Sequence, residues 1–194
     1  MNIAIINYNA GNTKSVWYAL QRLGFTATIT NDASEIKNAD RVILPGVGHA
    51  AHAMAELKKY NLDKIIPTLT QPVLGICLGL QLMCKHTAEG NVEGMGIFNA
   101  SVKKFESISK KIPQIGWNKI EAKESLLLTN SSTNNYAYFV HSYYATVCAQ
   151  TVGTTNYILP FSSALQKDNF LACQFHPEKS SAFGETILKN FIEQ

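Results

Sequence analysis

The sequence of 194 residues lacks several features that assign other chains to a class. Its four cysteines form no CxxC pair, and no histidine stands at zinc-ligand spacing from them. The sequence therefore indicates neither a disulfide framework nor a metal site, and we expect no cofactor. No apolar run is long enough to cross a membrane, and the first residues do not have the pattern of a signal peptide. We expect a cytoplasmic protein with no membrane partner.

Charge is also sparse. Charged residues make up 16% of the chain, the net charge is +3, and the lysines are scattered along the sequence. Without a clustered basic stripe, we expect no nucleic-acid partner. Hydrophobic residues, in contrast, make up 46% of the sequence, a value typical of a globular protein with a buried core. The length suits a single domain over residues 1–194.

Short apolar strands alternate with amphipathic helices in the first half of the chain. The predicted strands cover residues 2–6, 26–30, 41–44 and 72–76. The predicted helices begin at Thr13, pass through Met54 and Leu57, and run from Leu78 to about Lys85. This alternation indicates an α/β fold with a mostly parallel sheet and helices on both faces, in which sites form beyond the carboxyl ends of the strands.

Beyond Gly94 the pattern changes to strands. They are predicted at residues 136–141, 143–147 and 164–174, with a polar break in the last one. We expect antiparallel hairpins that extend the sheet. A last helix is predicted to begin near Ser180 or Ser181, with its apolar residues on one face.

One candidate nucleophile lies where a buried strand meets a helix. The segment 73–79 reads strand, sharp turn and helix around the pattern G-x-C-x-G, the cysteine counterpart of a nucleophile elbow. Such a turn exposes the side chain of Cys77 at the end of the strand, and a helix N-terminus there favours the thiolate. The alternative is a structural role, because free cysteine is among the most buried residue types.

A candidate base and its partner follow in the segment QFHPEKS. His176 and Glu178 are two residues apart after a predicted strand, and Pro177 favours an extended His176, so both side chains can point to the same side. An acyl-transferring cysteine needs a histidine to accept its proton and a carboxylate to orient the ring. Alone, His176 is typical of a structural histidine and Glu178 of a surface salt bridge, but with Cys77 they form a candidate triad.

The loop PGVGHA at residues 45–50 follows the third predicted strand. Its glycines allow a backbone N–H to approach a ligand, and one such N–H with that of Leu78 forms a candidate oxyanion site. The other histidines have no paired partner in the sequence and are interpreted as structural. They are His49, His52, His86 and His141.

With PGVG, GICLGLQLM and FHPEKS in this order, the sequence resembles the class I glutamine amidotransferases over nearly its whole length. The resemblance implies their flavodoxin-like α/β fold, L-glutamine as the substrate, and Cys77, His176 and Glu178 as nucleophile, acid/base and orienting carboxylate. It also implies a set of oxyanion and substrate-binding residues, which are Val47, Gly48, Leu78, Gln81, Ser142 and Tyr143.

Within this class, NYxxGN, PQIGWN, FVHSYYA and HPEKSS are similar to the glutaminase subunits of imidazole glycerol phosphate synthases. That similarity implies a heterodimer with a β/α-barrel cyclase, which uses the ammonia in histidine biosynthesis. The partner-facing residues expected from it are Asn12, Trp117, Asn118 and Lys179. The sequence departs from the usual pattern at Asn7, where aspartate is common, and at Ala50, where phenylalanine is common.

Two other functions fit the same residues. A related glutaminase subunit can pass its ammonia to an enzyme that modifies a surface sugar, and the neighbouring genes would separate the two cases. A catalytically inactive binding or scaffold domain can also retain the fold, although such a domain usually loses the nucleophile or the base. Here all three candidate triad residues are present.

Overall fold

The computed structural model of the chain describes residues 1–129 and 135–194. Its strands are β1 (Ile3–Ile6), β2 (Ala27–Thr30), β3 (Arg41–Gly46), β4 (Val73–Cys77), β5 (Cys84–Thr87), β6 (Val92–Glu93), β7 (Phe98–Lys104), β8 (Gln114–Lys119), β9 (Glu121–Ala122), β10 (Tyr136–His141), β11 (Tyr143–Ala145), β12 (Thr151–Tyr157), β13 (Leu159–Lys167) and β14 (Phe170–Cys173). Its α-helices are α1 (Thr13–Arg22), α2 (Ala33–Asn38), α3 (Ala50–Lys59), α4 (Leu62–Ile65), α5 (Leu78–Met83) and α6 (Ser181–Ile192). Two short 3₁₀ turns cover Ile66–Thr68 and Pro177–Lys179.

In the described residues the main sheet has 12 strands, and its central path runs β2-β1-β3-β4-β14-β13-β11-β7-β5-β6. The strands from β2 to β14 along this path are parallel. From β14 onward the pairings along this path are antiparallel, except for the parallel pair of β5 and β7. The predicted sheet, mostly parallel in its first half and extended by antiparallel strands, is confirmed.

The central strands are buried on both faces, as their apolar sequences predict. Alternate residues of β1 belong to different apolar clusters, with Ile3 and Ile5 in one and Ala4 and Ile6 in the other. The helices α1 and α6 contribute to the first cluster, whereas α2 and α3 contribute to the second. Helices therefore cover both faces of the sheet. Among the described residues, no helix has the length and apolar character needed to cross a membrane.

Two elements differ from the sequence prediction. The helix expected to reach about Lys85 ends at Met83, because Cys84–Thr87 forms β5 and pairs with β7. This pairing buries both Cys84 and Thr87 completely. Burial through tertiary contacts can override local helix propensity, so the sequence pattern alone does not predict the strand. The strand β10 pairs with β8 in a separate two-stranded sheet and does not extend the main sheet.

Candidate active site

Cys77 is the last residue of β4, and β4 lies between β3 and β14. Its backbone has φ 54° and ψ −106°, a conformation that a residue with a Cβ rarely adopts. Such strain costs about 1–3 kcal/mol and persists only where the surrounding structure enforces it. The turn predicted from G-x-C-x-G is therefore present, and it leads directly into α5.

The second glycine of this motif has a packing role. A Cβ placed on Gly79 would lie 2.0 Å from the carbonyl oxygen of Leu44, so α5 packs directly against the backbone of β3. Only glycine permits this close approach. The contact fixes the start of α5, where Leu78 is the first helical residue and its N–H has no acceptor within the helix.

The PGVG loop borders the candidate nucleophile, because Gly46 at the end of β3 is the register partner of Cys77. The backbone at the start of the loop is fixed, because the Tyr8 hydroxyl donates a hydrogen bond of 2.8 Å to the Pro45 carbonyl. Beyond it, Val47 and Gly48 are exposed, and Gly48 has φ 97°, which favours glycine. The two expected sources of oxyanion donors therefore lie on either side of Cys77.

His176 and Glu178 form a buried pair. Nδ1 of His176 lies 2.8 Å from Oε1 of Glu178, and the two side chains are only 4% and 2% exposed. His176 is extended, as expected from Pro177, but residues 177–179 form a 3₁₀ turn. The expectation that an extended segment aligns the two side chains was therefore wrong. The turn is what returns the carboxylate to the ring.

The charge state of His176 reflects its neighbours. Burial alone lowers the pKa of His176, but Cys77 and Glu178 raise it by more, so the pKa lies well above its usual value. Nε2 makes no hydrogen bond of good geometry in the described residues, although the charge of Cys77 is close enough to act on it. Cys77 and Glu178 are therefore the two neighbours that stabilise the imidazolium form of His176.

A cavity of about 280 Å³ opens in front of Cys77. It suits a ligand of amino-acid size, because it lies just below the range of about 300–1,000 Å³ that is typical of sites for larger, drug-sized ligands. Eight of the residues proposed from the sequence line it, namely Val47, Gly48, Cys77, Leu78, Gln81, Ser142, Tyr143 and His176. Three further residues line it that the sequence did not suggest, namely Glu89, Val140 and His141.

Glu89 is the carboxylate of this cavity. It follows β5, and its Oε2 accepts a hydrogen bond of 2.8 Å from the N–H of Ala50 at the start of α3. A carboxylate at the wall of a small cavity is a partner for an ammonium group. The sequence offered no signal for it, because it predicted a helix to about Lys85 and not the strand β5 that precedes Glu89.

His141 is held in a neutral state. Its Nδ1 lies 2.7 Å from the carbonyl oxygen of Tyr143, which only accepts hydrogen bonds, so Nδ1 carries the proton. Burial lowers the pKa of His141 to about 4, and the charge of His176 adds to this effect. Its ring packs against Phe105, Phe139 and Phe161. The sequence-based interpretation of a structural histidine agrees with this packing.

A sequence model of the family Glutamine amidotransferase class-I matches residues 4–194. The chain belongs to this family.

Relatives of this class I glutamine amidotransferase match it over its whole length. It is 53% identical over 195 residues to the imidazole glycerol phosphate synthase subunit HisH of Bacteroides fragilis (strain YCH46), with 100% of both chains covered. It is 42% identical to the subunit of the same name from Yersinia pseudotuberculosis, again with 100% of both covered. The solved structure of PurLQS from Thermotoga maritima has the same fold, with a TM-score of 0.75 at 16% identity over 99% of this chain and 97% of that one.

Two of the partner-facing residues expected from the resemblance lie beside the candidate triad of this class I amidotransferase. Asn12 caps α1 by accepting a hydrogen bond of 3.2 Å from the N–H of Ser15, and it borders a small cleft shared with His176 and Glu178. Lys179 follows Glu178 directly and is exposed. Both are exposed next to the pair of His176 and Glu178.

The other two lie on β8. Trp117 is 54% exposed and contacts Tyr138 of β10 edge to face. Asn118 points elsewhere, because its amide donates a hydrogen bond of 3.1 Å to the carbonyl of Asn156. Asn118 therefore has an intramolecular role. In the described residues no group of three or more metal-ligating side chains comes together.

Proposed function

We propose that this chain is the glutaminase subunit of an imidazole glycerol phosphate synthase, working in the cytoplasm in histidine biosynthesis. The proposal rests on a Cys–His–Glu arrangement beside a cavity of amino-acid size, in a chain 53% identical over its whole length to a HisH subunit. Glutamine is the substrate, and glutamate and ammonia are the products.

Binding of glutamine uses the walls of the cavity. The Glu89 carboxylate attracts the α-ammonium group, since it is the acidic side chain lining the cavity. Ser142 and Tyr143 lie where β10 gives way to β11 and border the amino-acid end of the substrate. The side-chain carboxamide then extends toward Cys77, whose sulfur attacks its carbonyl carbon.

Chemistry proceeds in two acyl-transfer steps. The sulfur adds to the carboxamide carbon, and the resulting oxyanion accepts N–H hydrogen bonds from Leu78 and from the Val47–Gly48 part of the PGVG loop. His176 in its protonated form gives its proton to the leaving nitrogen, which departs as ammonia and leaves a thioester on Cys77. Neutral His176 then accepts a proton from water and the water oxygen attacks the thioester. The carbon–sulfur bond breaks, glutamate leaves, and the free Cys77 sulfur and protonated His176 are restored. Glu178 orients the ring and stabilises its charge.

A partner surface adjoins this site. The outer face of the two-stranded sheet carries Ile115, Trp117 and Tyr136, which are 64%, 54% and 43% exposed. Val140 of the same sheet lines the cavity, so this apolar face continues to the active site. Aromatic residues exposed together are typical of protein interfaces. We place the β/α-barrel cyclase here, where it receives the ammonia and forms imidazole glycerol phosphate and an aminoimidazole carboxamide ribonucleotide.

The test combines the chain with the cyclase subunit of the same organism. Glutamate release is measured for the chain alone, with the cyclase, and with the cyclase and its nucleotide. We expect C77S to abolish synthesis from glutamine while synthesis from added ammonium salts continues, because the chain only supplies ammonia. Failure of the two proteins to form an active complex would contradict the assignment to histidine biosynthesis. Glutamate release without that partner would then favour an enzyme that modifies a surface sugar.

A further inference from the structure

We propose that Gln174 donates an N–H hydrogen bond to the nucleophilic sulfur of Cys77, and that Gln81 fixes the direction of this bond. The inference rests on the proposed glutaminase function and adds a residue that touches the reacting atom. Gln174 belongs to the segment QFHPEKS but was given no role by the sequence. Both amides are buried, with Gln174 0% and Gln81 4% exposed.

Three contacts form a continuous chain. Nε2 of Gln174 lies 3.6 Å from Sγ of Cys77. Oε1 of Gln174 lies 3.0 Å from Nε2 of Gln81. The same Nε2 of Gln81 lies 2.9 Å from the carbonyl oxygen of Tyr143. The nucleophile is thus connected to the strand that lines the substrate cavity.

The direction of the hydrogen bonds follows from the two ends of this chain. The Tyr143 carbonyl only accepts, so Gln81 presents its N–H groups and uses the second one on Oε1 of Gln174. That leaves the N–H groups of Gln174 to face the sulfur, which as a thiolate also only accepts. A flipped amide at either glutamine would place two acceptors or two donors in contact. Only one orientation of the two side-chain amides therefore pairs every donor with an acceptor.

Gln174 and His176 both follow the end of β14. Gln174 and His176 are two residues apart, and each is anchored through its backbone N–H, the first to Ser163 at 2.9 Å and the second to Tyr138 at 3.0 Å. An N–H hydrogen bond to a charged acceptor is stronger in a buried site than in water. Gln174 therefore stabilises the thiolate and limits the directions in which Cys77 can point.

A consequence concerns Gln81. Both hydrogens of its amide are used, on Tyr143 and Gln174, so the atom that remains for the cavity is its carbonyl oxygen. Gln81 can then accept a hydrogen bond from an N–H of the substrate but cannot donate one to it. Its role in the cavity follows from its role in holding Gln174.

The test follows the alkylation of Cys77 by iodoacetamide against pH, with the modified peptide identified by mass spectrometry. Q174M keeps the volume and removes the donor, and we expect alkylation near neutral pH to slow about tenfold, with its midpoint at higher pH. In Q174E the neutral acid can donate to sulfur and accept from Gln81, whereas the ionised acid cannot donate. The rate of Q174E relative to the unchanged protein should therefore fall as the pH rises.

Q71E is the matched control, because Gln71 donates its amide N–H to the Ile36 carbonyl at 2.8 Å at the opposite end of β4. It should leave the alkylation profile unchanged, and melting curves establish that each variant is folded. Profiles for Q174M and Q174E that match the unchanged protein, or a Q71E profile altered to the same extent, would overturn the inference. Alkylation needs neither glutamine nor a partner, so its outcome is separate from that of the glutamate-release assay, which tests the proposed function.

Discussion

The buried neutral His141 should make the stability of this protein fall in mild acid. In the unfolded chain its pKa is the ordinary 6.5, whereas in the folded chain it is about 4. Between these values the unfolded state binds a proton that the folded state does not, so the free energy of unfolding decreases as the pH falls. At about 1.4 kcal/mol per pH unit, the free energy of unfolding decreases by about 3 kcal/mol over this interval. The contribution is fully present above pH 6.5 and is lost toward pH 4.

The variant H141F isolates this effect. It keeps a ring among the three neighbouring phenylalanines and removes the titrating group, while the Tyr143 carbonyl still accepts a hydrogen bond from Gln81. At pH 7 we expect stability within about 1 kcal/mol of the unchanged protein, because one hydrogen bond is lost. Near pH 4.5 the variant should be the more stable of the two by about 2 kcal/mol.

Urea unfolding of the isolated chain between pH 4.5 and 8, followed by circular dichroism, measures the difference. The two stability curves should cross as the pH falls, and parallel curves would refute the reasoning. His176 is present in both proteins and does not account for a difference between their curves. Its pKa is raised from 6.5, so its stabilisation is fully present below pH 6.5 and is lost as the pH rises above that value.

Two further substitutions test the site. G79A places a methyl group against the Leu44 carbonyl. We therefore expect the free energy of unfolding to fall by about 1–3 kcal/mol or more, and glutaminase activity to be lost. G24A is its control, since Gly24 has φ 85° but no atom within 4 Å of the added group; equal melting temperatures for the two variants would contradict the packing argument. E178Q should keep at least about tenfold more activity than C77S, because the carboxylate acts through the ring and not on the substrate. Equal losses in glutamate release would assign Glu178 a direct chemical role.

The parts of the fold and site that were predictable are those encoded locally. The parallel strands are short apolar runs, and the elbow at Cys77 combines such a run with small neighbours, so each is readable from a few consecutive residues. His176 and Glu178 are likewise close in sequence, two residues apart. Even there the sequence suggested an extended segment, because it could not show that the 3₁₀ turn of residues 177–179 would bring the carboxylate back to the ring.

The remaining site residues depend on contacts distant in sequence. Glu89 reaches the cavity because Cys84–Thr87 pairs with β7, a tertiary preference that overrides the helical pattern before it. Gln174 acquires its role from Cys77, which is 97 residues away, and from Gln81. The neutral protonation state of His141 depends on burial among three aromatic rings and on a hydrogen bond to one carbonyl group. None of these environments can be read from the neighbours of the residue in the sequence.

The position of β14 in the sheet means that the core and the candidate active site are completed by the same strand. This strand comes late in the sequence, yet it lies at the centre of the sheet between β4 and β13. During synthesis, which proceeds from the N-terminus, β4 and β13 therefore emerge before the strand that pairs with both. Until β14 is made, β4 and β13 each have an unpaired apolar edge that can associate with other chains. Because His176 lies three residues beyond the end of β14, a subunit whose sheet is still open lacks the candidate base beside Cys77, and we expect it not to consume glutamine.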